Sequence, residues 1–251
     1  MKKLIVVLAV AALVSACSDD KPEAVQPVSN LTYSERGADN SWPTPISGAD
    51  AKVSDNLVAS NYYLVVDGSG SMFNAECSEG RKKLDVAKDA LGSFVGKLPA
   101  TANIGIYAFD KKGAQERLPL GNHSAKIALA HIQRLVAGGG TPLLSGVQAG
   151  VRSLGVQARQ QLGYGEYHLV IVTDGVATSG YEPTPAINQL LKNTPIIVHT
   201  IGFCIDEQHS LNRPGYTVYK SANDPEALLS GLDAVLAESP DYQVGVFNEG
   251  E

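Results

Sequence analysis

Short, nearly continuous apolar runs alternate along the middle of this chain with longer stretches in which apolar residues return every three or four positions. The first pattern fits strands covered on both faces, and the second fits helices that bury one stripe. Tyr62-Tyr63-Leu64-Val65-Val66 reads as such a strand and ends at Asp67. Leu84, Ala87, Leu91, Phe94, Val95 and Leu98 then keep helical spacing until Pro99 stops it. A second strand is predicted over Ile104 to Phe109, with Arg117 to Leu120 as a short antiparallel edge. Helical spacing runs from Ala125 to Val136 and breaks at Gly138-Gly139-Gly140.

Thr141 stands where it would cap the next helix, which carries Leu143, Leu144, Val147, Val151 and Leu154, with Pro142 as its first residue. The same hydroxyl is equally suited to a metal. Tyr167 to Thr173 is a further strand and ends at Asp174, Pro183 to Leu191 is helical, and Ile196 to Phe203 and Tyr216 to Tyr219 are strands. Asp224, a good N-cap, and Pro225 open a last helix through Leu228, Leu232, Val235 and Leu236. Strands alternating with helices predict an α/β fold: one domain with a doubly wound, mainly parallel central sheet and helices on both faces.

The chain ends differ from this core. Met1-Lys2-Lys3, an apolar run of about eleven residues from Leu4 to Val14, and Ser15-Ala16-Cys17 form an export signal over residues 1–16. The run is too short for a permanent membrane helix, which needs roughly 20 residues. Val14-Ser15-Ala16-Cys17 resembles a bacterial lipobox, which implies that Cys17 becomes the acylated first residue, with palmitate among its acyl groups. The expected location is then the cell envelope, lipid-anchored to a membrane; in a Gram-negative host it would be the outer membrane facing the periplasm. Residues 17–58 mix Asp, Pro, Ser, Asn and Gly with few apolar positions and read as a tether. Trp42 within it either packs back on the domain or stands exposed. The domain is expected over 59–238, followed by a tail over 239–251.

Formal charge is −6, and loss of Lys2 and Lys3 with the signal leaves 18 basic against 26 acidic groups. Such a surface repels nucleic acid, and no basic stripe or aromatic-basic motif offsets it. With Cys17 assigned to lipid, Cys77 and Cys204 remain as a pair in an oxidising compartment. Cys77 follows the first glycine-rich motif and Cys204 follows a strand, so both belong to one rim of the sheet and a disulfide between them is expected.

Three separated segments carry the candidate chemistry: Asp67-Gly68-Ser69-Gly70-Ser71, Gly140-Thr141-Pro142 and Val172-Thr173-Asp174-Gly175. Asp67, Ser69, Ser71, Thr141 and Asp174 offer only oxygen ligands, which suit a hard divalent cation and not zinc or copper. Mg²⁺ is the expected ion, with Mn²⁺ or Ca²⁺ as alternatives. In a doubly wound sheet ligands collect beyond the carboxyl ends of strands at the switch point. Two of the three motifs end strands. If those strands are neighbours there, the cluster forms.

Asp67-x-Ser69-x-Ser71 with Thr141 and Asp174 resembles the metal-ion-dependent adhesion site of a von Willebrand factor type A domain. The likeness extends over about Ala59 to Glu238, including the Thr-Pro-Leu helix start and the strand ending Ile-Val-Thr-Asp-Gly. The resemblance implies that Ser69 and Ser71 bind the cation directly, and that the two aspartates and Thr141 bind directly or through water. It also implies that a protein partner presents a Glu or Asp carboxylate to the ion, for adhesion or complex assembly. Phe73, Asn74 and the loop from Glu76 to Arg81 are candidate rim elements. A scaffold that binds without metal is the main alternative. A metal-dependent hydrolase is weaker, since no general base, Walker loop or H-E-x-x-H motif is present. The expected function is binding, not catalysis.

Overall fold

The computed structural model describes residues 42–43, 52–205 and 209–237. The readings of the signal 1–16, of acylated Cys17, of most of the tether and of the tail 239–251 lie outside the described residues. Among the described residues no helix is long and apolar enough to cross a membrane.

β1 (Ser60–Asp67) is buried at every position. Side chains alternate across a strand, so Tyr62, Leu64 and Val66 enter one core while Tyr63 and Val65 enter the other. A strand apolar on both faces belongs at the centre of a sheet. β1 lies there, in the order β3-β2-β1-β4-β5-β6. Its neighbours are β2 (Asn103–Asp110) and β4 (Glu166–Thr173), both parallel to it. β5 (Ile197–Phe203) and β6 (Val218–Ala222) continue the parallel arrangement. Among the described strands only β3 (Gly113–Gly121) is antiparallel. Its charged and mostly exposed sequence blunts the sheet edge against further pairing.

Helices cover both faces. α1 (Lys83–Lys97), α2 (Ala125–Gln133) and α5 (Pro225–Ala237) pack on the Tyr62 side. α3 (Leu143–Gln160) and α4 (Thr184–Asn193) pack on the Tyr63 side. At the start of α5, Asp224 Oδ1 accepts from the Ala227 amide at 2.7 Å, the cap expected there. The predicted α/β architecture is the one observed. In detail β6 begins later than Tyr216, and α2 ends at Gln133 instead of Val136. The Val136 amide donates to Asp110 Oδ2 at 3.0 Å, which draws the backbone into a loop before the triple glycine.

Thr141 does not cap α3. The helix begins at Leu143, Pro142 holds the capping position, and no side chain caps it. The Thr141 amide donates to Thr178 Oγ1 at 2.9 Å, and its carbonyl accepts from the Thr178 amide at 3.0 Å. Thr141 is thereby tied to the loop after β4 instead of to the helix. The question left open for Trp42 also has an answer. Its ring meets Tyr167 edge-on at 5.8 Å and packs against the second core.

Candidate metal centre

β1 and β4 lie side by side, with Val66 opposite Val172, at the point where the connections diverge to the two sides of the sheet. Asp67 and Asp174 thus emerge from neighbouring strand ends. Gly68 lets the Asp67 loop run close to β2: its amide donates to Phe109 O at 2.8 Å, and a β-carbon there would stand 2.8 Å from Asp110 Cβ. The Gly70 amide then donates to Gly139 O at 3.0 Å and joins the serine loop to the Thr141 loop. Gly139 has φ +87°, a conformation glycine adopts without strain.

The hydroxyls and carboxylates form one connected set. Ser69 Oγ and Ser71 Oγ are 3.0 Å apart, and Ser71 Oγ donates to Asp174 Oδ1 at 2.6 Å. The Ser69 amide donates to Asp67 Oδ1 at 2.8 Å, and Thr173 Oγ1 donates to Asp67 Oδ2 at 2.6 Å. Asp67, Ser69, Thr141 and Asp174 are buried, while Ser71 is exposed. The cluster is closed below and open to solvent at Ser71. Burial pushes the Asp67 carboxyl up to about 6, against the opposing pull of its hydrogen bonds from Ser69 and Thr173, with Asp174's charge adding to the rise.

This donor set fits a hard divalent ion. Two carboxylates and the hydroxyls of Ser69 and Ser71 converge, Thr141 is held on the adjoining loop by its backbone bonds to Thr178, and a divalent cation would relieve the buried charge of Asp67. Among the described residues no group of three or more His, Cys, Asp or Glu stands close enough to hold a metal, so hydroxyls must supply part of any shell. Bound there, Mg²⁺ would offer an exchangeable position to an oxygen anion.

Sequence reasoning missed two contributors. Thr173 lies inside the predicted strand, and its role in holding Asp67 depends on which strand β4 pairs with. Lys83, the first residue of α1, places Nζ 3.1 Å from Asp174 Oδ2. Burial works against its charge, yet the hydrogen bond and charge of Asp174 outweigh that and leave its pKa raised. No sequence signal marked it, because acidic residues are the ones favoured at a helix start.

Cys77 and Cys204 share the rim as expected, but the expected bridge is not formed and both are free thiols. Cys204 Sγ donates to Glu76 O at 3.0 Å and also lies in hydrogen-bond contact with the Cys77 thiol. Burial, and then the Cys77 thiol, push the Cys204 thiol up to about 12. In reduced protein at pH 8, iodoacetamide is expected to modify exposed Cys77 well before Cys204, because only the thiolate reacts. Mass mapping of a time course checks this; equal rates at the two sites would contradict it. His168 and His199 bond to each other at 3.1 Å inside the sheet, and burial, then His168's charge, lower His199 to about 3. They are packed, hydrogen-bonded residues of the core.

The family model for the von Willebrand factor type A domain matches residues 61–241, and the chain belongs to that family. Solved structures with the same fold include a von Willebrand factor type A protein from Catenulispora acidiphila, at 20% identity and TM-score 0.58 over 71% of this chain and 42% of that one. The pilus adhesin SpaC from Lactobacillus rhamnosus GG matches at 17% identity and TM-score 0.54, over 73% of this chain and 31% of that one. The vWF domain of the type V pili tip protein Mfa5 from Porphyromonas gingivalis matches at 14% identity and TM-score 0.51, over 71% and 94%. This chain therefore spans less than half of the first two. No curated protein matches it.

Proposed function

We propose that this chain is a lipid-anchored envelope protein that uses a divalent cation at Asp67, Ser69, Ser71, Thr141 and Asp174 to coordinate a Glu or Asp carboxylate of a protein partner. Mg²⁺ is the favoured ion. The observation that carries this reading is the connected oxygen cluster, buried on its carboxylate side and exposed at Ser71. The loops that carry the cluster also carry large exposed apolar side chains: Phe73 is 59% exposed, Val176 73% and Tyr181 45%. Apolar surface beside a polar centre is the composition of a contact patch. A cavity of about 330 Å³ next to it is lined by Phe73, Lys82, Lys88 and Lys111 with one acidic residue, Asp85, which pairs with Lys88 at 3.9 Å, and the Lys82 ammonium lies 4.3 Å from the Phe73 ring centroid. On a chain of net charge −6 this basic rim favours an acidic partner segment. That pilus proteins share the fold is in keeping with adhesion or assembly. Acylation of Cys17 would supply the membrane attachment, and nucleic acid is no part of the proposal.

A soluble form beginning at Ser18 tests it. Envelope proteins are captured with Mg²⁺, with chelator, and with the Asp67→Ala/Ser69→Ala variant, while circular dichroism reports folding. Capture is expected only in the first condition. Equal capture in all three would remove the metal-mediated reading.

A further inference from the structure

One side chain beside the oxygen cluster is out of keeping with its position. The Lys83 side chain is 5% exposed and opens α1. A cation there faces the positive end of the helix dipole, and burial strips its hydration. Two carboxylates offset those costs: Asp174 Oδ2 at 3.1 Å and Glu76 Oε2 at 3.5 Å. The Glu76 side chain is 74% exposed, so water screens that contact. The Asp174 side chain is fully buried and is the dominant partner. Its other oxygen, Oδ1, faces the hydroxyls through Ser71. One carboxylate is thus shared between an ammonium on one side and the candidate metal shell on the other.

We infer that Lys83 is a resident cation of the metal centre, which loosens its hold on the divalent ion and in exchange strengthens that ion's attraction for an incoming carboxylate. The inference rests on the metal reading above. Asp67 and Asp174 together balance the charge of a divalent ion. Lys83 draws on the same Asp174, so the loaded centre keeps a positive charge that neither buried carboxylate cancels. Exposed Glu76, screened by water, cancels it only in part, and an anion from outside completes the balance. Without Lys83 the loaded centre would be neutral, would hold its ion more tightly, and would have little use for a further carboxylate. Lys83 thereby acts as a positioning and tuning residue that touches a metal ligand and not the partner.

The test compares the full chain with Lys83→Gln, which keeps a donor without charge, and Lys83→Met, which keeps neither. Mn²⁺ alone is the metal probe, with the free ion read by electron paramagnetic resonance. Acetate is the anion probe, read through the water-proton relaxation of the bound Mn²⁺. Both variants are expected to bind Mn²⁺ about tenfold more tightly, a size ordinary for coupling through one shared group. Both are expected to respond less to acetate than the parent. Adding Asp174→Asn to Lys83→Gln should cancel the gain. If Lys83→Met does not fold, Lys83→Gln decides. Folded variants that bind Mn²⁺ no better than the parent would overturn the role of Lys83 and leave the metal reading standing. A parent that binds no Mn²⁺ would remove both.

Discussion

Replacing Asp67 by Asn is expected to make the metal-free protein more stable at pH 7, by up to about 3 kcal/mol, and to abolish its stabilisation by Mg²⁺. Asp67 is completely buried, and its carboxyl is raised from an ordinary 3.8 to about 6, first of all by burial. A carboxyl raised in the folded state holds its proton there more readily than in the unfolded chain. Folding therefore carries no penalty from this group below pH 4, and the penalty grows as pH rises until it is complete above pH 6. A shift of about two units corresponds to about 3 kcal/mol. An amide can replace the carboxylate in its network. Oδ1 can still accept from the Ser69 amide, and the new Nδ2 can donate to Thr173 Oγ1, whose own proton has Gly175 O at 3.1 Å.

In the parent, Mg²⁺ at a hundred times its dissociation constant would add about 2.7 kcal/mol, large enough to be read in the same unfolding experiment as the substitution. Urea unfolding of both proteins at pH 4.5 and pH 7, with chelator and with Mg²⁺, measures all of this. Other carboxylates titrate in both proteins, so the informative quantity is the difference between them, which should widen with pH. A difference that stays constant with pH, or an Asp67→Asn protein that still gains from Mg²⁺, would contradict the electrostatic account of the centre.

Gly146→Ala is expected to destabilise the protein by about 1–3 kcal/mol through overpacking, although alanine is the better helix former by up to about 1 kcal/mol. A β-carbon at Gly146 would come within 2.4 Å of Val65 Cγ1. Val65 is a stiff, β-branched residue of the central strand, two positions before Asp67, so it has little room to yield. The same α3 face repeats the contact at Gly150, whose β-carbon would lie 2.4 Å from Leu169 Cδ1 of β4. These two glycines bring the helix backbone against the pair of strands that deliver the aspartates. Gly96→Ala in α1 is the control. Nothing lies within 4 Å of a β-carbon there, so the helix preference alone should act and the protein should gain stability. Chemical denaturation of both variants decides the point: a Gly146→Ala protein as stable as the parent would mean that α3 can retreat from the sheet.

Much of this architecture was legible in the sequence because burial imposes its own period. The doubly apolar run before Asp67 fits a strand covered on both faces, and the helical stripes fit elements packed against such a sheet. The oxygen inventory was legible because the residue types themselves exclude soft metals. Local chemistry read along the chain was less secure where the backbone had a partner far away. Thr141 has the residue type of a helix cap, yet Thr178, distant in sequence, takes its amide and carbonyl. Cys77 and Cys204 do meet on one rim, but as free thiols in hydrogen-bond contact, with the Cys204 thiol also bonded to the Glu76 carbonyl.

The sequence alone determined which groups could serve as ligands, which segments would be strands, and that three loops had to meet for those groups to act. Only the tertiary structure decided that β1 and β4 are neighbours, that Thr173 clamps Asp67, and that a lysine from the start of α1 shares Asp174 with the cluster. The physical reason is that apolar periodicity records whether a residue is buried. The identity of the neighbour across a strand pair or at a helix end depends on chain crossings that no local pattern encodes.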